Sequence, residues 1–315
     1  MSEIKKIGVS FVTVTDDHLY QRVDNFLFNH LKNLPKTRVY RLIRKGEIRV
    51  NKKRVDASYK LQLGDLIRIP PMMLEEVKLH IPGRRSIQML TDRVLYEDDN
   101  LLIINKPSGI PVHGGTGVKV GVIETLKTLY PKLPQLELAH RLDADTSGCL
   151  VLAKKRSRLR ELHALLRAGQ VHKVYLALTK GHWRTDDLKV TAPLTKNFLQ
   201  SGERMVRVDP NGKASATTFA IEQAFEHATL VQATLHTGRT HQIRVHSRHK
   251  GHPIAGDEKY GDLAFNKDLK QIGLNRLFLH AHTISFTLPS SGLQIQVTAP
   301  LEEDLKACLT SLKLL

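Results

Sequence analysis

The chain has 315 residues, 41% of them hydrophobic and 25% charged, with a formal net charge of +17. That length carries a sizeable core and one small extra domain, and the composition is that of a soluble globular protein. No apolar run is long enough to span a bilayer, the opening Met1-Ser2-Glu3-Ile4-Lys5-Lys6 lacks a signal-peptide core, and Cys149 and Cys308 form neither a disulfide framework nor a CxxC site. A cytoplasmic location and a polyanionic partner follow. Nucleic acid is favoured over a membrane surface, because no basic amphipathic terminal helix stands out.

Residues 18–82 read as a small α/β unit. Val23, Phe26, Leu27 and Leu31 recur at helical spacing. Pro35 opens a second helix with Val39, Leu42 and Ile43 on its apolar face, and Gly46 closes it. A turn near Asn51-Lys52 follows, and another at Gly64-Asp65. Between Lys36 and Arg54 the cations are Lys36, Arg38, Arg41, Arg44, Lys45, Arg49, Lys52, Lys53 and Arg54, against the single acid Glu47. A charge run is commonly a solvated face, but solubility favours mixed signs, and a one-sided surface suits RNA phosphates. The stretch resembles the S4 RNA-binding domain through Arg22-Val23-Asp24, the basic second helix, Gly46–Lys53 and Gly64-Asp65. That resemblance implies RNA binding, with Arg38, Arg41, Lys45, Lys52, Lys53 and Arg54 as contact residues.

Pro70-Pro71 breaks regular structure, and residues 72–92 show no sustained period, so they read as a linker, with 83–92 as its core. From 93 to 315 the pattern is of many short strands. Leu101–Asn105 predicts a strand, Lys106-Pro107-Ser108-Gly109 a turn, Ile110–His113 a further extended piece and Val122–Leu129 a helix. Leu150–Ala153 predicts a buried strand. Leu159, Leu162, Leu165 and Leu166 mark a helix ending near Gly169. Leu293–Ala299 and Leu305–Leu312 read as a final strand and helix.

Between the apolar pieces lies Ala139-His140-Arg141-Leu142-Asp143-Ala144-Asp145-Thr146-Ser147-Gly148. A polar loop between buried elements is a usual place for catalytic groups, although Asp145 or Thr146 equally suits a helix cap. Val171–Leu178 alternates, with Val174, Leu176 and Leu178 on a core face and Tyr175 on the other beside Lys173. Tyr175 there fits a packed edge tyrosine or a stacked base. Gly238–His246 reads as a second such strand, with Thr240, Gln242, Arg244 and His246 on a polar face. His241 on the opposite face reads as a core histidine. Strand geometry separates His241 from His246, against a zinc site.

Taken together, these segments are similar to the RluA-type pseudouridine synthase family. The likeness rests on His140-Arg141-Leu142-Asp143 with Thr146-Ser147-Gly148, Asn105–Gly109 with Val112-His113, Lys173–Ala177 and Gly238–His246. It continues through His252-Pro253-Ile254, Gly256-Asp257, Tyr260-Gly261 and Leu279-His280-Ala281. Leu199–Arg204 and Asn275–Ala281 add a likeness to the bacterial large-subunit ribosomal members. Cys149 and Leu288-Pro289 depart from the pattern, as packing changes.

The resemblance implies an α+β fold with a mixed, largely antiparallel sheet around a cleft. It implies isomerisation of uridine to pseudouridine in 23S rRNA, free or in an assembling large subunit, with no cofactor, no metal and no membrane. Asp143 matches the essential carboxylate, which acts as a nucleophile or a base. Arg244 matches the arginine that pairs with it, and Tyr175 the tyrosine stacked on the target base. Leu279 is the expected apolar wall, and Arg141 the residue filling the gap left by a flipped uridine. Two rivals stand beside this reading. A haloacid-dehalogenase phosphatase would use Asp143-Ala144-Asp145-Thr146 but needs a preceding apolar strand and an acidic magnesium cluster. A non-catalytic rRNA-binding assembly factor would need only the basic unit.

Overall fold

The computed structural model describes residues 4–31, 34–75, 83–114, 120–133, 135–185, 188–198 and 204–313. The chain divides into two compact units, Met1–His80 and Ile81–Leu315. Among the described residues, no helix is long and apolar enough to cross a membrane.

The first unit comprises β1 (Ile4–Ile7), β2 (Ser10–Thr13), α1 (Val23–His30), α2 (Lys36–Arg44), β3 (Arg49–Val50), β4 (Leu66–Ile69) and β5 (Met72–Glu75). β2, β4 and β3 form one antiparallel sheet, while β1 pairs with β5. Val23, Phe26, Leu27, Val39, Leu42 and Ile43 from the two helices bury against Ile48, Ile67 and Ile69. Pro35 caps α2 with its fixed φ, and Gly46 (φ 68°) turns the chain out of it. Residues 72–92, read as a linker, carry β5 and the helix α3 (Arg84–Thr91). Their apolar residues are too few per element to show a period. Pro82 and 76–82 generally lie outside the described residues.

The second unit continues with β6 (Val94–Glu97), β7 (Leu101–Lys106), α4 (Val122–Leu129), β8 (Glu137–Leu138), β9 (Ser147–Ala153), α5 (Arg156–Arg167) and β10 (His172–Lys180). Then come β11 (Lys189–Thr191), β12 (Leu194–Phe198), β13 (Arg204–Val208), β14 (Ala216–Ala224) and β15 (Ala228–Leu235). The chain ends with α6 (Gln242–His249), α7 (Leu263–Gln271), β16 (Leu279–Thr287), β17 (Gln294–Thr298) and α8 (Glu303–Lys313). A ten-stranded sheet runs β11-β14-β15-β10-β16-β9-β7-β6, with β17 on β16 and β8 on β9. Among the described residues every pairing is antiparallel except β16 with β9, where His280 and Ala281 oppose Ser147 and Gly148. This is the mixed, largely antiparallel α+β sheet expected.

Both faces of the central strands are buried. In β7, Leu102 and Ile104 enter one core while Leu101 and Ile103 enter another. In β10, Tyr175 and Ala177 lie in the first of these cores, and Leu176 and Leu178 in a third. The alternation read from sequence is correct, but the Tyr175 side is also a core face.

The segment Gly238–His246 is not a strand. It is a turn leading into α6, and Gln242 through Ser247 are all buried. Six consecutive residues covered on every side, polar and apolar alike, leave only Arg248 and His249 exposed at the end of the helix. Ile110–His113 is irregular rather than extended.

Candidate active site

The His140–Thr146 loop joins β8 to β9, and its backbone is laced to the turn after β7. Gly109 N–H donates to the Ala144 carbonyl (2.9 Å), and Ser108 Oγ to the Asp145 carbonyl (2.7 Å). Lys106 is fully buried, and its ammonium donates to the carbonyls of Pro107 (2.7 Å), Ile110 (2.8 Å) and Ala144 (2.8 Å). Three donors thus meet three acceptors. Burial nonetheless pulls Lys106 down to about 7, against the pull of Asp145. At its far end the loop enters β9 through Gly148 (φ 108°), where a Cβ would stand 2.3 Å from the Ala281 carbonyl oxygen. Arg276 donates to Ser147 Oγ at 2.6 Å, and Ser147 is bonded to His280 at 2.8 Å. The loop is therefore held at both ends by buried polar contacts.

A cavity of about 560 Å³ opens over this loop. It is lined by Arg141, Asp143, Tyr175, Arg244 and Leu279, together with Lys173 and the turn that begins α6. A second cavity of about 730 Å³ shares Arg141, Asp143, His241 and Arg244. Asp143 stands on the wall common to both. Both volumes lie in the range of small-molecule sites. Tyr175 is 7% exposed; burial, and then the charge of Asp143, push its hydroxyl far above the usual phenol range, so it stays neutral. His140 is neutral as well, pushed down to about 4 by burial and then by Lys173, and its Nε2 accepts from Val151 N–H (3.1 Å).

Two expectations change here. Arg244 does not bond Asp143. Its Nε and Nη2 each donate to Asp257, both at 2.7 Å, and the pair is almost wholly buried. The resemblance supplied the guanidinium but not its partner, which lies in the following loop. Against its burial, Asp257 first, and then the charge of Asp143, hold the Arg244 guanidinium above its ordinary value. His241, expected as a core histidine, faces the cavities, with Nε2 3.9 Å from Asp143 Oδ2. The strand-based separation from His246 also falls, since the two lie on a turn and a helix. His246 is buried against Ser215, Thr217 and the Ala192 carbonyl.

Sequence motifs place Asp257 and Tyr260 without assigning either a role. Asp257 also accepts from the N–H groups of Lys259 and Tyr260, both at 2.9 Å. The signal that could have singled it out is a carboxylate beside a Gly in a loop rich in short polar motifs.

The basic residues of the first unit sit where the helix period puts them. Arg38 and Arg41 are exposed on α2, Lys45 caps it, and Lys52, Lys53 and Arg54 are exposed on the turn after β3. Lys53 and Arg54 also line a groove with Arg44, Tyr40 and Tyr59. Of the Leu199–Arg204 motif, residues 199–203 lie outside the described residues.

A carboxylate, a neutral buried tyrosine and a guanidinium thus line one cavity on a mixed sheet. The chain belongs to the RNA pseudouridylate synthase family. Residues 100–249 match the family model described as RNA pseudouridylate synthase, and residues 21–67 match the S4 domain. The chain is 52% identical over 310 residues to Ribosomal large subunit pseudouridine synthase C of Escherichia coli strain K12, covering 97% of each. It is 53% identical over 309 residues to the protein of the same name from Haemophilus ducreyi, covering 97% of this chain and 96% of that one. The structure of Human RNA Pseudouridylate Synthase Domain Containing 4 superposes with a TM-score of 0.60 at 28% identity, over 72% of this chain and 95% of that one.

Proposed function

We propose that the protein isomerises specific uridines of the large-subunit 23S rRNA to pseudouridine in the cytoplasm, using Asp143 as the catalytic carboxylate. In this reaction the N1–C1′ bond breaks, the uracil rotates, C5 joins C1′ and loses its proton, and N1 takes up a proton. No atoms are gained and no electrons leave, so the chain's own side chains suffice. The observation that carries the reading is the position of Asp143 on the wall between two cavities, with Tyr175 and Leu279 buried beside it. A flipped uracil there stacks on the Tyr175 ring, and Leu279 closes the apolar side. Arg141 is exposed at the rim, placed to occupy the gap in the RNA stack. Arg244, fixed in place by its pairing with Asp257, stands on the same cavity wall as the carboxylate. The exposed cations Arg38, Arg41, Lys45, Lys52, Lys53 and Arg54 bind rRNA phosphates.

Tritium release from rRNA labelled at uracil C5, with EDTA present, tests this. Wild type is expected to release label, and Asp143→Asn to bind the same RNA equally well without releasing it. Tight binding without release by either protein would favour an assembly factor. Equal release by both would remove Asp143 from its role.

A further inference from the structure

His241 occupies an unusual place. It is the residue before α6, with φ 54° and ψ 19°, a left-handed conformation that side chains with a Cβ seldom adopt. Such strain persists where the surroundings over-determine it and concentrates at functional sites. The ring is held from behind: Nδ1 lies 2.8 Å from the Tyr260 hydroxyl. That hydroxyl already accepts from Val206 N–H at 2.9 Å, and Tyr260 is only 3% exposed. If Nδ1 carried the proton, the hydroxyl would accept twice and its own buried proton would lack an acceptor. Donation from Tyr260 to Nδ1 satisfies every group, and it leaves the proton of His241 on Nε2, the atom nearest Asp143.

Tyr260 is itself fixed. Its N–H donates to Asp257 (2.9 Å), and the Arg244 guanidinium lies 5.1 Å from its ring centre. A chain of contacts therefore runs from the Arg244–Asp257 pair through Tyr260 to His241. Burial keeps the imidazole below its ordinary value; Asp143 and Asp257 pull upward, while Arg244 and Lys259 push down. At 3.9 Å, Nε2 and Asp143 Oδ2 are about an ångström beyond hydrogen-bond distance. Contacts in active sites commonly tighten by that much when substrate binds.

We propose that His241 is a positioning residue that presents Nε2–H to the Asp143 carboxylate, its tautomer set by Tyr260, and so aims the carboxylate at the uridine. The assignment rests on Asp143 being the catalytic carboxylate.

Two measurements test it on the full chain. In histidine-15N-labelled protein, long-range proton–nitrogen spectra assign the tautomer of His241 by comparison with His241→Gln. Wild type is expected to carry the proton on Nε2 and none on Nδ1, and a proton on Nδ1 would overturn the proposal. In single-turnover release from C5-labelled rRNA, His241→Leu is expected to lose about tenfold to a hundredfold in rate, as usual for groups that orient a reactive residue from behind. Its RNA affinity should be unchanged. His241→Gln, whose amide places a donor near the Nε2 position, should recover most of the rate. Wild-type rate in His241→Leu, or equal impairment in Leu and Gln variants, would sink the idea. Asp143→Asn run alongside separates the two levels: release by that variant would refute the catalytic carboxylate itself, whereas an inert Asp143→Asn beside a fully active His241→Leu would refute only the role of His241.

Discussion

Arg244 and Asp257 share two parallel hydrogen bonds of 2.7 Å, with the Asp257 side chain wholly buried and that of Arg244 6% exposed. Removing one member strands the other's charge in a poorly solvated site. Asp257→Ala is expected to destabilise the second unit by about 3–5 kcal/mol. The double variant Asp257→Ala/Arg244→Ala should lose less than the sum of the single losses. Urea unfolding followed by the fluorescence of Trp183, the chain's single tryptophan and part of this unit's core, measures both.

Lys106 ties the catalytic loop to the turn after β7. Lys106→Met takes the ammonium from the carbonyls of Pro107 and Ile110, and leaves that of Ala144, beside Asp143, with only the Gly109 N–H. At about 1–3 kcal/mol for each unsatisfied buried group, a loss of about 2 kcal/mol or more is expected. Lys106→Arg should not rescue it, because a planar guanidinium cannot meet three carbonyls arranged around one ammonium. Melting temperature and uridine turnover should fall together, and a variant as stable as wild type would exclude this account of the turn.

His280 should make stability depend on pH. Burial pushes it down to about 4, and the Ala299 carbonyl opposes this only in part. Between pH 6.5 and 4 the unfolded chain binds a proton that the folded chain refuses. Its contribution is complete above 6.5 and declines as pH falls, by at most about 1.4 kcal/mol per pH unit. His280→Gln is expected to be less stable at pH 7, with the gap to wild type narrowing toward pH 4.5. A constant gap across that range would contradict the assignment.

Tyr175 is expected to act through its ring. Tyr175→Phe should keep turnover within about tenfold. Tyr175→Leu, with no ring to stack, should lose the roughly 1–3 kcal/mol typical of a base–aromatic contact in addition to packing. Similar losses in both, measured by tritium release, would assign the work to the hydroxyl instead.

Gly148 has neither the backbone freedom nor the space for a side chain: a Cβ would meet three backbone atoms of Ala281 at 2.3 to 2.7 Å. Gly148→Ala should cost about 2 kcal/mol or more, by prising β9 from β16. Circular dichroism and solubility of the purified chain give the outcome.

What could be read ahead of the structure followed from local physics. The helix Val122–Leu129 has the bounds its spacing predicts, and Pro35 and Gly46 bracket α2 as their φ preferences require. The cavity-lining positions of Asp143, Tyr175, Arg244, Arg141 and Leu279 came from motif likeness rather than from periodicity. What escaped was decided at long range. The alternating letters of Gly238–His246 fit a strand as well as a buried helix, and the choice is made by partners elsewhere. Gln242 donates to the Ala216 carbonyl and accepts from Thr237 and Arg239, and His246 bonds Ser215 and Thr217. The partner of Arg244 was likewise invisible because Asp143 and Asp257 are chemically the same letter. Strands β1 and β2 are four residues each, too short to register as a pattern.

The single parallel pairing in the sheet joins β9 to a strand made 133 residues later, since Ser147 meets His280 and is bonded by Arg276. Asn105, at the end of β7 before the turn laced to the catalytic loop, donates to the carbonyl of Pro300. A chain emerging from the ribosome at about 5–20 residues per second therefore exposes the Asp143 loop many seconds before its supports exist. Synthesis has to pass Pro300 before both supports can form.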